Sequence, residues 1–294
     1  MPGDDQRALL RAMPVVFVLV WSTGFVVARY GMPYAPPLGF LSWRFALSVL
    51  AFGLWIMLAR VPLPRTRAQW GHLAVTGVLM QTGYLGGVWA AVKLGISAGT
   101  VALIVGLQPV LTAVWLSFTS THRVSRRQWL GLGLGLAGLL LVVWRKLGMG
   151  EITGVNFALS VGALLAMTVG TLYQKRYLVP GDVRAAMFVQ LLAALALTLP
   201  LALWLENEPI RLHPEFIGAM AWSVLVLTLG GSSLLFMLIQ RGAAAKVTSL
   251  LYLVPPCTAV MAWAVFGEAI GPVVLAGLAL TAIGVALVVR DGAA

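Results

Sequence analysis

The sequence predicts an all-α integral membrane protein with ten transmembrane helices, arranged as two inverted five-helix repeats with both termini in the cytoplasm. Three observations lead to this fold class: the composition, the spacing of the apolar runs, and an internal repeat. The chain has 294 residues, of which 60% are hydrophobic and 10% are charged, and its mean hydropathy is +0.95. A soluble domain of this length needs far more polar surface, so the composition indicates a membrane protein.

The apolar runs have the length that a bilayer requires, which is about 20 residues for one helix. Only short links separate them, such as 60–67 and 206–215, so no soluble domain is predicted. Arg7 and Arg11 precede the first run as in a secretory signal, but no small-x-small cleavage site follows, which favours an uncleaved first helix. The predicted spans are 13–30, 38–59, 69–91, 97–118, 127–144, 154–174, 185–204, 214–239, 244–265 and 270–289.

The fourth and ninth spans are related by an internal repeat with an offset of 146 residues, which aligns Pro109 with Pro255. The register holds without a gap from Ala98 and Ala244 onward, and 14 of 46 aligned positions are identical. We therefore predict a first repeat at 1–148 and a second at 149–294. Because five spans are an odd number, the second repeat must cross the membrane in the opposite sense to the first. Transporters with such inverted repeats bind substrate near the membrane midplane.

The distribution of basic residues sets the predicted orientation. With the N-terminus inside, the inner segments carry 14 lysines and arginines and the outer segments carry five. The positive-inside rule therefore places both termini in the cytoplasm. The net charge of +11 is then explained by anionic lipid headgroups rather than by a nucleic acid.

The ionisable residues point away from an enzyme. No acidic residue and no histidine lies in the middle of a predicted span, which argues against a buried carboxylate proton relay, a metal site and general acid–base chemistry. The single cysteine, Cys257, excludes an internal disulfide. The G-x-G-x-x-G pattern at 133–138 lies inside an apolar helix, so we interpret it as close helix packing rather than a dinucleotide site. No cofactor and no metal are predicted.

The candidate site residues are neutral polar and aromatic side chains within spans, together with prolines and glycines that permit bending. Their alternative role is interhelical packing or hydrogen bonding. Arg44 is the one charge clearly within a span; it is a candidate contact for a substrate carboxylate, or else it snorkels or bonds a neighbouring helix. The candidate cavity residues are Trp21, Gln81, Tyr84, Gln108, Thr168, Tyr173, Ser232 and Tyr252, and the candidate kink or gate residues are Pro109, Pro255, Pro256, Gly24 and Gly170.

Several stretches resemble the drug/metabolite transporter superfamily of the ten-helix type with two EamA domains. They are WSTGFV at 21–26, Arg44 early in the second span, QPVLTA at 108–113, and FGEAI at 266–270 followed by Gly277 and Gly284. His122 stands where the first repeat would often carry a counterpart of Glu268. The resemblance implies a multi-pass exporter of amino acids or related metabolites in a bacterial inner membrane, with a central cavity between the repeats.

The leading hypothesis is a secondary transporter that exports small amphipathic metabolites, amino acids first, by alternating access and as a monomer. Because no carboxylate lies in mid-span, facilitated or exchange transport is favoured over tight proton coupling. A drug or lipid-linked sugar carrier of the same fold is the alternative within transport. Outside transport, the alternatives are a structural or assembly protein and, less favoured, a membrane enzyme.

Overall fold

The structure is a computed structural model that describes residues 4–119, 125–178, 181–231, 234 and 253–291. The regular secondary structure of these residues is helical, which confirms the all-α class for the described part of the chain. His122, Ser232, Ser233 and Tyr252 lie outside the described residues.

Twelve α-helices and two π-helical segments follow one another in these ranges. The first π segment is Val78–Leu85 and the second is Trp222–Gly231. The α-helices are α1 (Asp4–Gly31), α2 (Pro37–Ala59), α3 (Arg67–Gly77), α4 (Gly86–Lys93), α5 (Ala98–Val105), α6 (Gln108–Thr119), α7 (Arg126–Leu147), α8 (Gly154–Tyr177), α9 (Val183–Leu205), α10 (Pro214–Ala221), α11 (Val254–Phe266) and α12 (Pro272–Asp291).

Five helical stretches among the described residues are long enough and apolar enough to cross a membrane. They are Pro37–Ala59, Arg126–Leu147, Gly154–Tyr177, Val183–Leu205 and Pro214–Gly231. Shorter apolar helices occupy the first, fourth, ninth and tenth predicted spans, and α3, the first π segment and α4 run continuously through the third. The count of ten spans and the cytoplasmic termini stay predictions.

The helix boundaries repeat along the chain with the same offset that relates the two halves of the sequence. Under that offset, the first and last residues of α2 coincide with the first and last residues of α9. The end of α1 likewise coincides with the end of α8, the start of α7 with the start of α12, and the end of the first π segment with the end of the second. The regularity thus extends well beyond the aligned stretch from Ala98, whereas the repeat boundaries 1–148 and 149–294 stay a prediction.

Local sequence accounts for where several helices begin and end. Thr66 and Gln69 form a capping box at the start of α3, and Ser125 and Gln128 form another at the start of α7. Helix α2 ends at Arg60, which takes the left-handed conformation with φ 51° and donates its N–H back to the last turn.

The chain divides into two compact units, and each unit combines segments from both predicted repeats. Unit 1 comprises 1–26, 97–153 and 231–294, and unit 2 comprises 27–96 and 154–230. Unit 1 therefore holds most of α1 with α5, α6, α7, α11 and α12. Unit 2 holds α2, α3, α4, α8, α9, α10 and the two π segments up to residue 230.

Within unit 1, α7 and α12 pack antiparallel through glycines at repeat-related positions. A Cβ on Gly138 would lie 2.5 Å from the carbonyl oxygen of Gly277, and a Cβ on Gly284 would collide with the backbone of Gly131. Such reciprocal contacts are what a local two-fold relation between repeats produces. Thr281 also donates a hydrogen bond to the Gly135 carbonyl at 3.4 Å. Gly135 and Gly138 of the G-x-G-x-x-G pattern therefore lie on a packed helix face, as predicted, whereas Gly133 is exposed.

Within unit 2, α2 and α9 also run antiparallel. At one end Ile56 and Val61 pack with Ala185. At the other end the Glu206 carboxylate accepts hydrogen bonds from the backbone N–H groups of Leu38 at 2.8 Å and Gly39 at 2.7 Å. The residue that follows α9 thereby satisfies free donors at the start of α2, where a negative charge is favoured by the helix dipole.

Candidate functional site

Arg44 lies in the interior of unit 2, with only 6% of its surface exposed. Its Nε and Nη2 donate hydrogen bonds to Thr228 Oγ1 at 3.3 and 3.2 Å, and its guanidinium lies 5.5 Å from the ring centroid of Trp89. Tyr84 is also buried and lies within electrostatic range of the guanidinium. Arg44 therefore does not snorkel, and its charge faces a hydroxyl, an aromatic face and a phenol.

The partner of Arg44 is positioned by the second π segment. Thr228 Oγ1 donates to the Ser223 carbonyl five residues earlier at 2.8 Å, while it accepts the two bonds from Arg44. The repeat-related residue in the first π segment is Thr82, which contacts α9 through Thr198 Oγ1 at 3.0 Å. The π-helical turns thus direct equivalent threonines toward α2 and α9. Insertions of this kind are frequent at functional sites.

Five buried polar atoms of unit 2 have no hydrogen-bond partner among the described residues. They are Ser42 Oγ, Arg44 Nη1, Ser48 Oγ, Trp89 Nε1 and Ser223 Oγ. A buried polar group without a partner costs about 1–3 kcal/mol, and a charged group costs more. Two of these atoms, Arg44 Nη1 and Trp89 Nε1, are N–H donors. The guanidinium of Arg44 lies over the indole ring of Trp89. The arrangement provides free donors for an acceptor such as a carboxylate.

The remaining predicted residues of unit 2 lie in the first π segment and in α8. Gln81 is half-buried in the first π segment. Gly170 packs on the first π segment, where an added Cβ would lie 2.7 Å from Met80 Cγ. Thr168 is buried and donates to the Leu164 carbonyl of its own helix at 2.7 Å, and its role in a cavity stays a prediction.

Tyr173 belongs to an aromatic cluster near the end of α8. Its hydroxyl lies 2.8 Å from His72 Nδ1, and His72 stacks on Tyr177 with ring centroids 5.1 Å apart. Because this cluster involves the first turns of α3 rather than Arg44, we separate Tyr173 from the Arg44 site.

Unit 1 contains the proline-linked residues of the prediction. Pro109 follows a break between α5 and α6, and Gln108 begins α6 with its Nε2 donating to Thr112 Oγ1 at 3.2 Å. Pro255 and Pro256 lie in the first turn of α11. A Cβ on Gly106, in the break, would lie 2.6 Å from Pro255 Cγ, so the break after α5 contacts the first turn of α11.

Trp21 and Gly24 lie half-buried on α1 in unit 1. Trp21 contacts Phe17 with ring centroids 5.3 Å apart. The neighbouring Ser22 accepts a hydrogen bond at its carbonyl from Thr258 Oγ1 at 3.3 Å, which ties α1 to α11. The described residues contain no group of three or more His, Cys, Asp or Glu side chains that could hold a metal ion.

Sequence reasoning missed Thr228, Trp89 and both π segments. Thr228 is separated from Thr82 by the repeat offset, and both are threonines. This identity could have singled out Thr228 from the sequence. The π segments carry no composition that distinguishes them from α-helix.

A model of the EamA-like transporter family matches residues 12–144 and, a second time, residues 154–290. The chain belongs to this family. The resemblance seen in the sequence is thereby confirmed, and membership makes the protein a multi-pass membrane transporter. The first matched range ends within α7, and the second begins with α8.

Curated relatives cover nearly the whole chain. A "Probable amino-acid metabolite efflux pump" of Salmonella typhimurium is 26% identical over 91% of this chain and 90% of its own length. The "Uncharacterized transporter YvbV" of Bacillus subtilis is 28% identical over 96% of this chain and 91% of its own. A "Probable terminal-alkyne amino-acid exporter" of Streptantibioticus cattleyicolor is 24% identical over 94% of this chain and 92% of its own.

A solved crystal structure is similar in fold. It covers 97% of this chain and 99% of its own with a TM-score of 0.68. At 16% sequence identity this similarity shows the fold alone.

Proposed function

We propose that this EamA-family protein is a secondary transporter that exports amino acids or related small metabolites across a bacterial inner membrane. The observation that carries the proposal is Arg44, a buried cation whose Nη1 has no partner among the described residues. A charge inside a membrane protein is costly and marks a functional site by default. The names of the relatives from Salmonella typhimurium and Streptantibioticus cattleyicolor, both given as exporting amino acids or their metabolites, agree with a carboxylate-bearing cargo.

The Arg44 site is built by both sequence repeats. Arg44, Tyr84 and Trp89 come from the first repeat, and Thr228 comes from the second. We propose that the cargo carboxylate binds Arg44 Nη1 and Trp89 Nε1, while Tyr84 and the indole face contact its apolar part. A small number of placed polar groups among aromatic side chains is typical of a small-molecule site.

We propose that transport proceeds by alternating access and that the fourth and ninth spans bend at their prolines. Helix α5 ends at Val105 and α6 begins at Gln108, and Pro109 has no backbone N–H that could bond across this break. Pro255 lies at the equivalent place in the first turn of α11. Discontinuous helices in corresponding positions of two repeats are a feature of transporter binding regions. Gly24 and Gly170 would let neighbouring helices move past α1 and α8.

Transport is facilitated or by exchange in this proposal, rather than tightly coupled to protons. Every acidic residue of the described helices lies near a helix end, so mid-span carboxylates do not serve as proton carriers there. A drug or lipid-linked sugar carrier is the alternative, and a structural or assembly protein is the alternative outside transport.

The test is uptake of radiolabelled leucine and phenylalanine into liposomes that contain the purified protein, with protein-free liposomes as the control. The proposal expects saturable uptake that other amino acids inhibit. Inhibition by a cationic drug or a lipid-linked sugar, with no effect of amino acids, would favour the alternative carrier. Correctly folded protein without any flux would favour a structural role.

A further inference from the structure

The charge of Arg44 is not neutralised by any carboxylate of the described residues. Three other cations that are buried or half-buried each lie within 2.7 Å of a carboxylate oxygen, namely Lys146 beside Glu151, Lys93 beside Glu208 and Arg184 beside Asp182. Arg44 is as deeply buried as Lys146, but its charge faces the Thr228 hydroxyl, the Trp89 ring and the Tyr84 phenol. The empty Arg44 site therefore carries a net positive charge.

The rest of the sequence does not supply a carboxylate at this depth. The chain has nine acidic residues, and none of them lies in the middle of a predicted span. The carboxylate that approaches α2, that of Glu206, is bonded through its two oxygens to the N–H groups of Leu38 and Gly39 at the start of the helix. Because a buried charge without a partner is costly, an anion that pairs with the guanidinium is favoured over a neutral cargo.

The unpartnered polar atoms of unit 2 also suit an anion better than a zwitterion. Two of the five are N–H donors, and the other three are serine hydroxyls, which can donate or accept. An ammonium group only donates, so it can bond to the hydroxyls but not to the N–H groups, and the guanidinium repels it. An uncharged oxygen in its place can accept from the hydroxyls without this repulsion.

We propose that the Arg44 site selects monoanionic cargo, namely carboxylic acids derived from amino acids that carry no charged amine, such as 2-oxo and 2-hydroxy acids. The cargo carboxylate neutralises Arg44, and amino acids bind more weakly because their ammonium group has no carboxylate partner. The proposal rests on the proposed function, since it takes the Arg44 site as the place where cargo binds. It narrows amino acids and related metabolites to the deaminated members of that class.

The test is equilibrium binding to the purified full-length protein at neutral pH, with compounds that share one isobutyl group. Labelled 4-methyl-2-oxopentanoate is the ligand, and 2-hydroxy-4-methylpentanoate, leucine and leucinamide are the competitors. The hydroxy acid is the closest match to leucine, because a hydroxyl group replaces the ammonium group at the same carbon. We expect the hydroxy acid to displace the label, leucine to require a concentration higher by about tenfold or more, and leucinamide to leave the label bound.

The substitution Arg44→Gln tests whether the charge is the source of this preference. Glutamine is the residue found at the repeat-related position, Gln190, where it is also buried. We expect the affinity for the oxo acid to fall and the ratio of the oxo-acid and leucine affinities to approach one. A packing role of Arg44 would lower both affinities by the same factor and leave this ratio unchanged.

A matched pair at Ser48 tests the preference in the opposite direction. Ser48 lies one turn after Arg44 on a buried face of α2, and its Oγ has no partner among the described residues. Ser48→Asp supplies the missing carboxylate, so we expect leucine to bind more tightly than the oxo acid. Ser48→Asn has nearly the same volume without the charge, so we expect the original order of affinities.

Displacement by leucine at the same concentration as by the hydroxy acid, or no binding of the oxo acid, would overturn the selectivity. An unchanged affinity ratio in Arg44→Gln would overturn it as well. Failure of the proposed function is a different result, because binding requires no flux. The expected order of affinities without protein-dependent flux in liposomes would retain the selectivity and reject transport, whereas leucine flux without the preference would do the reverse.

Discussion

At the scale of single residues, Arg44 breaks the symmetry of the two repeats. The residue 146 positions later is Gln190, and the threonines that contact α2 and α9 are identical in both repeats. Thr228 is bonded by Arg44 itself, whereas Thr82 is bonded to Thr198 rather than to Gln190, so the two repeats differ at this contact. In the proposed function, this charge binds the carboxylate of the cargo.

The substitution Arg44→Met separates function from stability. We expect the KM for leucine to rise roughly 30-fold, because a charge-assisted hydrogen bond contributes about 2 kcal/mol. We expect thermal stability in detergent to be unchanged or higher, since replacing a buried charge with an apolar side chain is often neutral or stabilising. Arg60→Met, at an exposed position, is the control. A large loss of stability with unchanged KM would assign Arg44 to packing.

The sequence was sufficient to single out Arg44 and Tyr84 but not their surroundings. A charge in an apolar run is visible in any sequence, whereas the contacts of Thr228 and Trp89 depend on how π-helical turns rotate the side chains that follow. Tyr173 could not be separated from the Arg44 site for a similar reason, because its partner His72 is distant in sequence. Ser232, Ser233 and Tyr252 stay predictions.

At the scale of helices, the glycines of α7 have different surroundings that their common motif does not reveal. A Cβ on Gly138 would lie 2.5 Å from both Gly277 O and Thr281 Oγ1, whereas a Cβ on Gly133 would meet no atom within 4 Å. One glycine is needed for contact with α12, and the other is not.

Gly138→Ala and Gly133→Ala form a matched pair on one helix. We expect Gly138→Ala to lower the free energy of unfolding by about 1–3 kcal/mol through overpacking. We expect Gly133→Ala to raise it by up to about 1 kcal/mol, because alanine favours helix over glycine. Thermal unfolding of the two purified variants measures the difference. Equal effects of both substitutions would show that α7 and α12 do not pack through Gly138.

Asp182 stabilises the start of α9 both as a cap and as a charge. It accepts a hydrogen bond from the Arg184 N–H at 2.8 Å, and its bonds to the Arg184 side chain hold the pKa of its carboxyl below the ordinary value of 3.8. The charged form therefore stabilises the fold above pH 3.8, and this contribution is lost as the pH falls through the lowered pKa.

Two substitutions at Asp182 distinguish the cap from the charge. Asp182→Asn retains a capping oxygen, so we expect a loss of a few tenths of a kcal/mol at pH 7 that disappears in acid. Asp182→Ala also removes the cap, so a loss of about 1 kcal/mol should persist at low pH. Thermal unfolding at pH 7 and pH 3 is the measurement. A deficit of Asp182→Asn that grows in acid would contradict the assigned ion pair.

The interrupted spans are expected to control the rate of access. In the double variant Pro109→Ala with Pro255→Ala, each position gains a backbone N–H that can bond one turn back, so we expect both spans to be stiffer and flux to be slower by about tenfold or more. Folding should be retained, because alanine is a strong helix former. Initial rates of leucine uptake test this, with Pro200→Ala in α9 as a control for loss of a helix-interior proline outside the breaks. Wild-type flux in the double variant would contradict a gating role.

At the scale of the whole molecule, the repeat was predictable and the division into compact units was not. The repeat offset appears directly in the sequence, because both repeats keep prolines and small residues at equivalent places. Each compact unit contains segments from both repeats. Which segments pack together depends on whether their helix faces fit one another. No periodicity within one repeat specifies its partner in the other.

The measurement that tests the central claim most directly is counterflow in liposomes that contain the purified protein. Vesicles loaded with unlabelled leucine are diluted into trace labelled leucine, with the pH equal on both sides. The account predicts transient accumulation of label above equilibrium, which protein-free vesicles do not show and which Arg44→Met shows only at a much lower rate. Accumulation that occurs only when a pH gradient is imposed would contradict uncoupled exchange, and absence of counterflow for every amino acid would contradict amino-acid export.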